Sequence, residues 1–221
     1  MSDLSTRTAF PDSETDSTPD LRRVVHLWQQ CVTADLDVSL PTYIGAYNEL
    51  CRFVSRMGFL FSFVVKDINN KLKTLSDLVH QSEKDFGSVN RLHRYELDQG
   101  LARLEGSGSF ALLRLHRALE MVVQILEAVR TQPDTAKMGP VIRPIFDRTL
   151  GKRLPWFVNA PVHMALVTLK KRKDLLQQFQ GPLTSEQTLQ VLQGAVTQGT
   201  NVHAAVQQIY VSHKLDDLPQ Y

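Results

Sequence analysis

Residues 109–130 read SFALLRLHRALEMVVQILEAVR, and leucine, valine and alanine recur there three or four positions apart. This spacing is typical of an α-helix with a wide apolar face. The preceding Gly106-Ser107-Gly108 interrupts the helical pattern, and Ser109 has a side chain suited to an N-cap. The sequence therefore predicts a long helix from Ser109 to Arg130.

Helical periodicity continues on both sides of this stretch. It predicts further helices at 21–32, 39–57, 59–79, 91–104, 135–150, 156–170, 175–179 and 185–210, with a polar stretch at 80–90 between two of them. The first of these follows Thr18 and Pro19, which can supply its N-cap and its first helical position. Because no run of residues alternates in the β manner between turn signals, we predict an all-α protein of about eight helices.

The beginning of the chain differs in composition from the rest. Residues 1–19 are polar, mix Asp, Glu, Arg, Ser and Thr, and lack the apolar segment of a signal peptide. We expect a disordered N-terminal tail at 1–19 and a single domain at 20–221. The most apolar run, at 57–65, is far shorter than the roughly 20 residues that span a bilayer, so no transmembrane helix is expected.

Charge and cysteine content exclude several classes of protein. The 221 residues include 25 Lys plus Arg and 23 Asp plus Glu, a formal net charge of +2. A chain this close to neutrality gives no global electrostatic indication of nucleic-acid binding, so no nucleic-acid partner is expected and any anion site must be local. Cys31 and Cys51 match no zinc spacing and lie in apolar helical segments. We expect buried free thiols, with a disulfide as the alternative, and therefore a reducing compartment such as the cytoplasm.

The sequence carries no familiar catalytic motif. Gly-x-Ser-x-Gly, His-Glu-x-x-His and phosphate-binding glycine loops are all missing from it. His116 and His163 have no partners at metal-binding spacing and are expected to be core or surface residues. We therefore expect no enzymatic activity, no catalytic residues, no metal and no cofactor.

Charged residues within apolar helical stripes are more informative, because an unpaired buried charge is costly. Asp67 and Lys71 lie one turn apart on one helix face, in the order that favours an ion pair. A solvated surface pair is the simpler interpretation. Arg114 lies between two leucines, and Met121 follows on the same face. Its guanidinium can either extend to solvent or bind a buried anion such as phosphate.

Four sequence blocks occur in order along the chain: FSFVVKDINNKL at 61–72, LLRLHRAL at 112–119, LPW at 154–156 and IYVSHKLDDLP at 209–219. Together they resemble the glycolipid transfer protein superfamily, and the resemblance covers nearly everything after the tail. It implies a two-layer helical sandwich that extracts one sphingolipid from a bilayer. The headgroup would bind at a polar surface site and the hydrocarbon chains in an apolar pocket.

Two positions in these blocks separate the branches of that family. The branch that binds sugar headgroups has Asn one turn after the aspartate and Trp on the long helix, whereas the branch that carries ceramide-1-phosphate has Lys and Arg there. This chain has Lys71 and Arg114, and cationic donors of this kind suit a phosphate monoester. The resemblance implies that Asp67 accepts a hydrogen bond from the ceramide amide while Lys71 and Arg114 bind the phosphate.

Two other positions depart from the family pattern. Phe110 stands where the phosphate branch usually has a second Arg, and Leu154 stands where the superfamily has His. We assign Leu154 to the headgroup site, and Phe110 to the chain pocket together with Phe63 and Met121. The basic side chains that could replace the two lost polar groups are Arg117, Lys152 and Arg153.

The resemblance also indicates how the protein would meet a membrane. Trp156 resembles the membrane-contact tryptophan of the family, and an indole ring is well suited to the boundary between water and hydrocarbon. The alternative is a tryptophan in the core. The basic run Lys170-Lys171-Arg172-Lys173 could attract an anionic bilayer, or could simply be a solvated helix end.

Together these features predict a cytoplasmic, monomeric, transiently membrane-associated protein that binds and transfers a sphingolipid, with a phosphate headgroup favoured over a sugar. The alternative is a lipid-sensing or protein-interaction module on the same fold, in which ligand binding is weakened or lost.

Overall fold

A computed structural model describes residues 18–219, which form ten α-helices. In chain order they are α1 (Leu21–Cys31), α2 (Leu40–Ser55), α3 (Ser62–Gln81), α4 (Glu83–Phe86), α5 (Val89–Asp98), α6 (Gly108–Thr131), α7 (Met138–Arg148), α8 (Trp156–Val167), α9 (Arg172–Gln180) and α10 (Ser185–Ser212). Short 3₁₀ turns at Phe59–Phe61 and Gly151–Arg153 precede α3 and α8. These residues form isolated β-bridges but no sheet strand, so the all-α prediction is confirmed.

The long helix α6 is the centre of the packing. It contacts α3, α5, α7, α9 and α10, while α1 packs between α2 and α10. Buried apolar side chains form one continuous core that extends from Leu21 to Leu218. Apolar burial of this extent is the main stabilising contribution to a helical domain. Every element that carries a predicted site residue therefore packs directly or indirectly against α6.

A buried carboxylate fixes the start of α6. Glu96 Oε1 accepts a hydrogen bond from the Gly108 N–H at 2.7 Å, and Glu96 Oε2 accepts one from the Ser109 N–H at 2.9 Å. The N-cap is Ser107, whose hydroxyl accepts from the Phe110 N–H at 3.1 Å. The prediction that Ser109 caps this helix is therefore wrong. The first N–H groups of a helix have no partner inside it, and here Glu96 supplies one for Gly108 and Ser109.

Two other helix ends differ from the sequence prediction. The N-cap of α1 is Asp20 and not Thr18, because the Asp20 carboxylate accepts a hydrogen bond from the Arg22 N–H at 2.9 Å. Helix α5 ends at Asp98, six residues before the predicted end at 104. Gly100 follows it with φ of +68°, a left-handed conformation that stops a helix and that glycine adopts without strain. The four-residue α4, within the polar stretch at 80–90, was not predicted.

The structure tests the prediction for the cysteines but not the prediction for most of the N-terminal tail. Residues 1–17, which make up most of the predicted tail, lie outside the described residues. Cys31 and Cys51 are both buried free cysteines, as expected. Burial raises the pKa of Cys31 to about 12 and that of Cys51 to about 11, so both remain protonated thiols at neutral pH.

None of the helices between residues 18 and 219 combines the length and apolarity needed to cross a bilayer.

Two histidines are buried as neutral rings beside α10. His93 is fully buried and packs edge-on against Tyr210 with ring centroids 4.4 Å apart, and neither of its ring nitrogens makes a hydrogen bond within residues 18–219. His116 is buried one helix away. Burial, together with nearby positive charge, lowers the pKa of each ring from 6.5 to about 3. Both rings therefore stay uncharged in the folded protein at pH values where an exposed histidine is protonated.

This burial predicts a pH-dependent stability. Below about pH 6.5 the unfolded chain binds protons on both histidines, whereas the folded protein does not until about pH 3. The free energy of unfolding should therefore fall as the pH is lowered through this window, by up to about 1.4 kcal/mol per pH unit for each ring. Urea unfolding of His93→Phe at pH 6.5 to 5.0 should give a clearly shallower pH slope than the unmodified chain. His26→Gln, a change at an exposed histidine of α1, should leave the slope unaltered; an unaltered slope in His93→Phe would contradict the account.

Candidate functional site

An apolar cavity of about 410 Å³ lies among helices α2, α3, α6, α7, α8 and α9. Its walls are aliphatic and aromatic side chains from all six helices, including Phe53, Val64, Leu126, Phe146, Val162 and Phe179. Charged side chains contribute to its lining at three positions, which are Asp67, Lys71 and Arg114. The cavity therefore combines a hydrocarbon-like interior with one small group of ionic side chains.

Helix α3 supplies an ion pair to this group. The Lys71 ammonium pairs with the Asp67 carboxylate one turn away and also donates to the Asp67 backbone carbonyl oxygen at 3.4 Å. The Asp67 side chain is 53% exposed, whereas that of Lys71 is only 11% exposed. The pair is therefore not a fully solvated surface pair, because its cationic member is largely withdrawn from water.

The electrostatic surroundings of Lys71 include a second cation, Arg114. Burial lowers the pKa of the Lys71 ammonium, the hydrogen bond and charge of Asp67 oppose this effect, and the charge of Arg114 lowers the pKa further. Lys71 and Arg114 are thus close enough to repel one another. A nearby anion would stabilise both cations, since opposite charges favour the ionised form.

Helix α6 supplies Arg114, whose side chain is only 17% exposed. Its guanidinium lies over the ring of Phe110 at 5.5 Å from the centroid, and one of its nitrogens is 3.9 Å from the carboxylate of Glu105. A guanidinium over an aromatic face gains a cation–π attraction. Arg114 therefore does not simply extend into solvent but is held at the cavity by Phe110 on α6 and Glu105 in the preceding loop.

Three of the four remaining predicted site residues line the cavity. Phe63, Met121 and Leu154 all line the cavity. Phe110 is buried but does not line it, and packs beneath Arg114 instead. Phe110 is one helical turn before Arg114, and long helical side chains lean towards the N-terminus, so the Arg114 guanidinium reaches back over the Phe110 ring. The structure thus brings Asp67 and Lys71 together with Arg114, and leaves Phe110 outside the cavity lining.

The turn that carries Leu154 is held by side-chain hydrogen bonds. The Asn159 amide donates to the carbonyl oxygens of Gly151 at 3.0 Å and Leu154 at 3.1 Å. The isobutyl side chain of Leu154 contributes to the cavity lining and has no polar atom to offer a headgroup. The imidazole that the family resemblance implies at this position is therefore not replaced by Leu154 itself.

Arg117 was a candidate to replace a lost polar group, and the structure gives it a different task. Its guanidinium donates to the carbonyl oxygens of Asp216 at 3.1 Å and Leu218 at 2.8 Å. Burial lowers the pKa of this side chain, which is held inside the protein by these bonds. Arg117 thus anchors the last residues of the described chain to α6.

An exposed apolar surface adjoins the cavity at the start of α8. Trp156 is 80% exposed, Phe157 is 60% exposed and Phe59 is 83% exposed. The rings of Trp156 and Phe157 pack edge to face with centroids 6.1 Å apart, and α8 contacts the turn at Phe59–Phe61. We call these three residues the apolar patch. The alternative that Trp156 belongs to the core is wrong, because its indole is almost completely exposed.

The basic run at 170–173 is only partly a surface feature. Arg172 is buried, donates to the carbonyl oxygens of Val129 at 2.8 Å and Arg130 at 3.3 Å, and pairs with the Asp134 carboxylate. Both sequence interpretations of the run are therefore wrong for Arg172, which joins α9 to the end of α6. The side chains of the run that remain exposed are Lys170, Lys171 and Lys173.

The two histidines considered as possible metal ligands bond to protein groups. His116 Nε2 lies 2.9 Å from Gln207 Oε1 in the core, and His163 Nε2 lies 2.7 Å from Asp147 Oδ1. Between residues 18 and 219 no cluster of His, Cys, Asp and Glu is arranged to hold a metal ion.

Sequence reasoning missed Glu105, Phe59 and Phe157. Glu105 lies in the loop before α6, and nothing in its sequence surroundings indicates that it approaches Arg114. A signal for Phe157 was present, because the segment 156–167 is apolar on all sides. Such a helix must be buried completely or must meet another apolar phase.

Comparisons with known proteins agree with this geometry. The family model described as glycolipid transfer protein matches residues 38–181. The ceramide-1-phosphate transfer protein of Homo sapiens is 32% identical over 216 residues, which cover 94% of this chain and 99% of that protein. The Bos taurus protein of the same name is 30% identical over 207 residues, with 90% of this chain and 96% of that protein covered.

Solved structures extend the similarity to three dimensions. The crystal structure of mouse ceramide-1-phosphate transfer protein in its apo form aligns with a TM-score of 0.85 at 30% identity, covering 90% of this chain and 99% of that one. The human protein in complex with 2:0 ceramide-1-phosphate aligns with a TM-score of 0.84 at 30% identity, covering 92% of this chain and 100% of that one. These similarities confirm the two-layer helical fold implied by the sequence. The chain therefore belongs to the glycolipid transfer protein family.

Proposed function

We propose that this protein binds one sphingolipid with a phosphate headgroup, of the ceramide-1-phosphate type, and transfers it between membranes. The observation that carries the proposal is the placement of Asp67, Lys71 and Arg114 on the lining of an apolar cavity. An amphipathic ligand with an anionic head and long apolar chains matches this combination. Its relatives in human and mouse are named for the transfer of ceramide-1-phosphate.

The headgroup would be recognised by charge and hydrogen bonding. A phosphate monoester carries close to two negative charges at neutral pH, and Lys71 and Arg114 offer cationic donors to its oxygens. Asp67 would accept the amide N–H of the ceramide, which orients the lipid relative to the cavity. Asp67 also compensates the charge of Lys71 while the site is empty, so that the ammonium is not buried alone.

The chains would leave the bilayer for the cavity without crossing water. Moving a long hydrocarbon chain into water costs about 0.8 kcal/mol per methylene, on the order of 10 kcal/mol for one chain. A bilayer and an apolar cavity are similar solvents for such a chain. Loading therefore has to occur while the protein touches the membrane, with the helices around the cavity separating to admit the chains.

The apolar patch is the part of the surface we assign to this membrane contact. Trp156 and Phe157 begin α8, whose Val158 and Val162 line the cavity, and Phe59 precedes Phe61, which also lines it. Insertion of the patch at the bilayer surface would place the cavity next to the lipid to be extracted. In this proposal the protein works as a monomer from the cytoplasmic side, associates with membranes only transiently and performs no covalent chemistry.

A second candidate is a lipid-sensing or protein-interaction module that no longer carries lipid. Phe110 and Leu154 favour it, because they remove two polar groups from the headgroup site. Mass spectrometry of an organic extract of the purified protein separates the two candidates. A co-purified sphingolipid supports the carrier, and an extract without lipid supports the module.

Transfer of labelled lipids between vesicles tests the headgroup assignment. Lys71→Ala and Arg114→Ala should each slow ceramide-1-phosphate transfer about tenfold or more, because removing a charged hydrogen-bond donor costs about 1.5 to 3 kcal/mol. Lys73→Ala is the matched control, since Lys73 is on the same helix but pairs with Asp77 in solvent. Failure of the unmodified protein to move either ceramide-1-phosphate or glucosylceramide would contradict the carrier. Movement of glucosylceramide alone would contradict the phosphate assignment.

The apolar patch can be tested separately from ligand binding. Trp156→Ala should weaken sedimentation with phosphatidylcholine vesicles and slow lipid transfer severalfold, because the indole no longer enters the interface. Binding of short-chain ceramide-1-phosphate in solution should stay within about twofold of the unmodified protein. Leu36→Ala, which alters an exposed apolar side chain outside the patch, should change neither property. Undiminished vesicle binding by Trp156→Ala would show that the membrane is met elsewhere.

A further inference from the structure

Arg153 occupies a fixed position at the edge of the cavity. It is the last residue of the 3₁₀ turn Gly151–Arg153, and the next residue, Leu154, lines the cavity. The Arg153 N–H donates to the Leu150 carbonyl oxygen at 2.9 Å, and the Leu154 N–H donates to the Gly151 carbonyl oxygen at 3.2 Å. The side-chain amide of Asn159 closes the same turn from α8. The backbone from which this guanidinium projects is therefore held by four hydrogen bonds within the turn and from the adjoining helix.

Within the part of the chain that the structure describes, no carboxylate pairs with Arg153. The side chain is exposed, and its guanidinium makes no hydrogen bond or ion pair with any residue from 18 to 219. Arg153 acts electrostatically on two side chains of α6, the Arg117 guanidinium and the neutral His116 ring. After burial, repulsion by Arg153 is the largest influence that lowers the pKa of Arg117, and Arg153 also contributes to the lowered pKa of His116.

Arg153 is connected electrostatically to the site cations through Arg117. Arg117 interacts electrostatically with both Arg153 and Arg114, and Arg114 interacts in turn with Lys71. Three of these four cations have a carboxylate nearby. Asp67 is near Lys71, Glu105 is near Arg114 and Asp216 is near Arg117. Arg153 is the cation of this group for which the described residues provide no carboxylate. An uncompensated cation next to other cations is stabilised by an anionic ligand.

The alternatives for a further phosphate-binding group are weaker. Phe110 and Leu154 have no polar side-chain atom, and the Arg117 guanidinium is engaged with the carbonyl oxygens of Asp216 and Leu218. Lys152 is exposed, but it is one residue further from the cavity-lining Leu154 and is not among the charges that shift the pKa of His116 or Arg117. A planar guanidinium also binds two phosphate oxygens at once, which an ammonium cannot do.

We propose that Arg153 is the third cation of the headgroup site and contacts the outer oxygens of the phosphate, in place of the polar groups lost at Phe110 and Leu154. The inference rests on the proposed function, because it assumes a phosphate held by Lys71 and Arg114. With the amide at Asp67 and the chains in the cavity, the outer phosphate oxygens face solvent. An exposed side chain beside the cavity is suited to reach them.

The test compares Arg153→Gln with Lys152→Gln, using short-chain ceramide-1-phosphate in solution without vesicles. The absence of a bilayer removes any contribution of Arg153 to membrane attraction. We expect the Kd of Arg153→Gln to rise about tenfold, that of Arg153→Lys to rise less, and that of Lys152→Gln to stay within twofold. An unchanged Kd in Arg153→Gln, with normal binding by the unmodified protein, overturns the inference and leaves the proposed function intact. Failure of the unmodified protein to bind the lipid overturns both.

A second measurement separates direct contact from an effect on the turn. The second pKa of a phosphate monoester is about 6, and a cation at its oxygens lowers this value. Titration of the bound lipid by phosphorus-31 NMR should give a higher phosphate pKa in Arg153→Gln than in the unmodified protein. Weaker binding with an unchanged phosphate pKa would mean that Arg153 acts only through the structure of the turn, and would overturn the proposal.

Discussion

The ion pair of Asp67 and Lys71, facing the guanidinium of Arg114 on the lining of an apolar cavity, is the constraint on which the rest of the site depends. Lys71 is largely buried and would be costly to charge without Asp67. The charges of Lys71 and Arg114 oppose one another at the cavity, so an anionic group bound between them would stabilise both. An apolar cavity without these charges would bind hydrocarbon without selecting a headgroup.

Helix α6 carries Arg114, and several buried polar contacts keep this helix in place. Glu96 binds its first N–H groups, Arg117 ties its middle to the C-terminal segment, and Arg172 binds carbonyl oxygens near its end. Each contact joins α6 to a different part of the chain. Polar contacts at both ends of α6, together with apolar packing, therefore set the position of Arg114 relative to α3. The cavity lies between helices that otherwise pack against one another.

Periodicity and residue type predicted the helices and identified Asp67, Lys71 and Arg114 as charges within apolar stripes, whereas the family resemblance implied that these three residues form one site. Contacts between side chains that are far apart in the sequence were not predictable from it. The cap of α6 falls on Ser107 and not Ser109 because Glu96 approaches from another helix, and Arg172 is buried because Asp134 and α6 converge on it. Phe110 was assigned to the chain pocket from its apolar character, whereas its spacing to Arg114 determines its actual contact.

The most direct test of the account is a crystal structure of this protein with 12-carbon ceramide-1-phosphate. We expect the phosphate oxygens within hydrogen-bonding distance of the Lys71 ammonium and the Arg114 guanidinium, the ceramide amide at Asp67, and the chains in the cavity beside Phe63 and Met121. A phosphate bound away from Lys71 and Arg114, or chains lying outside the cavity, would contradict the account.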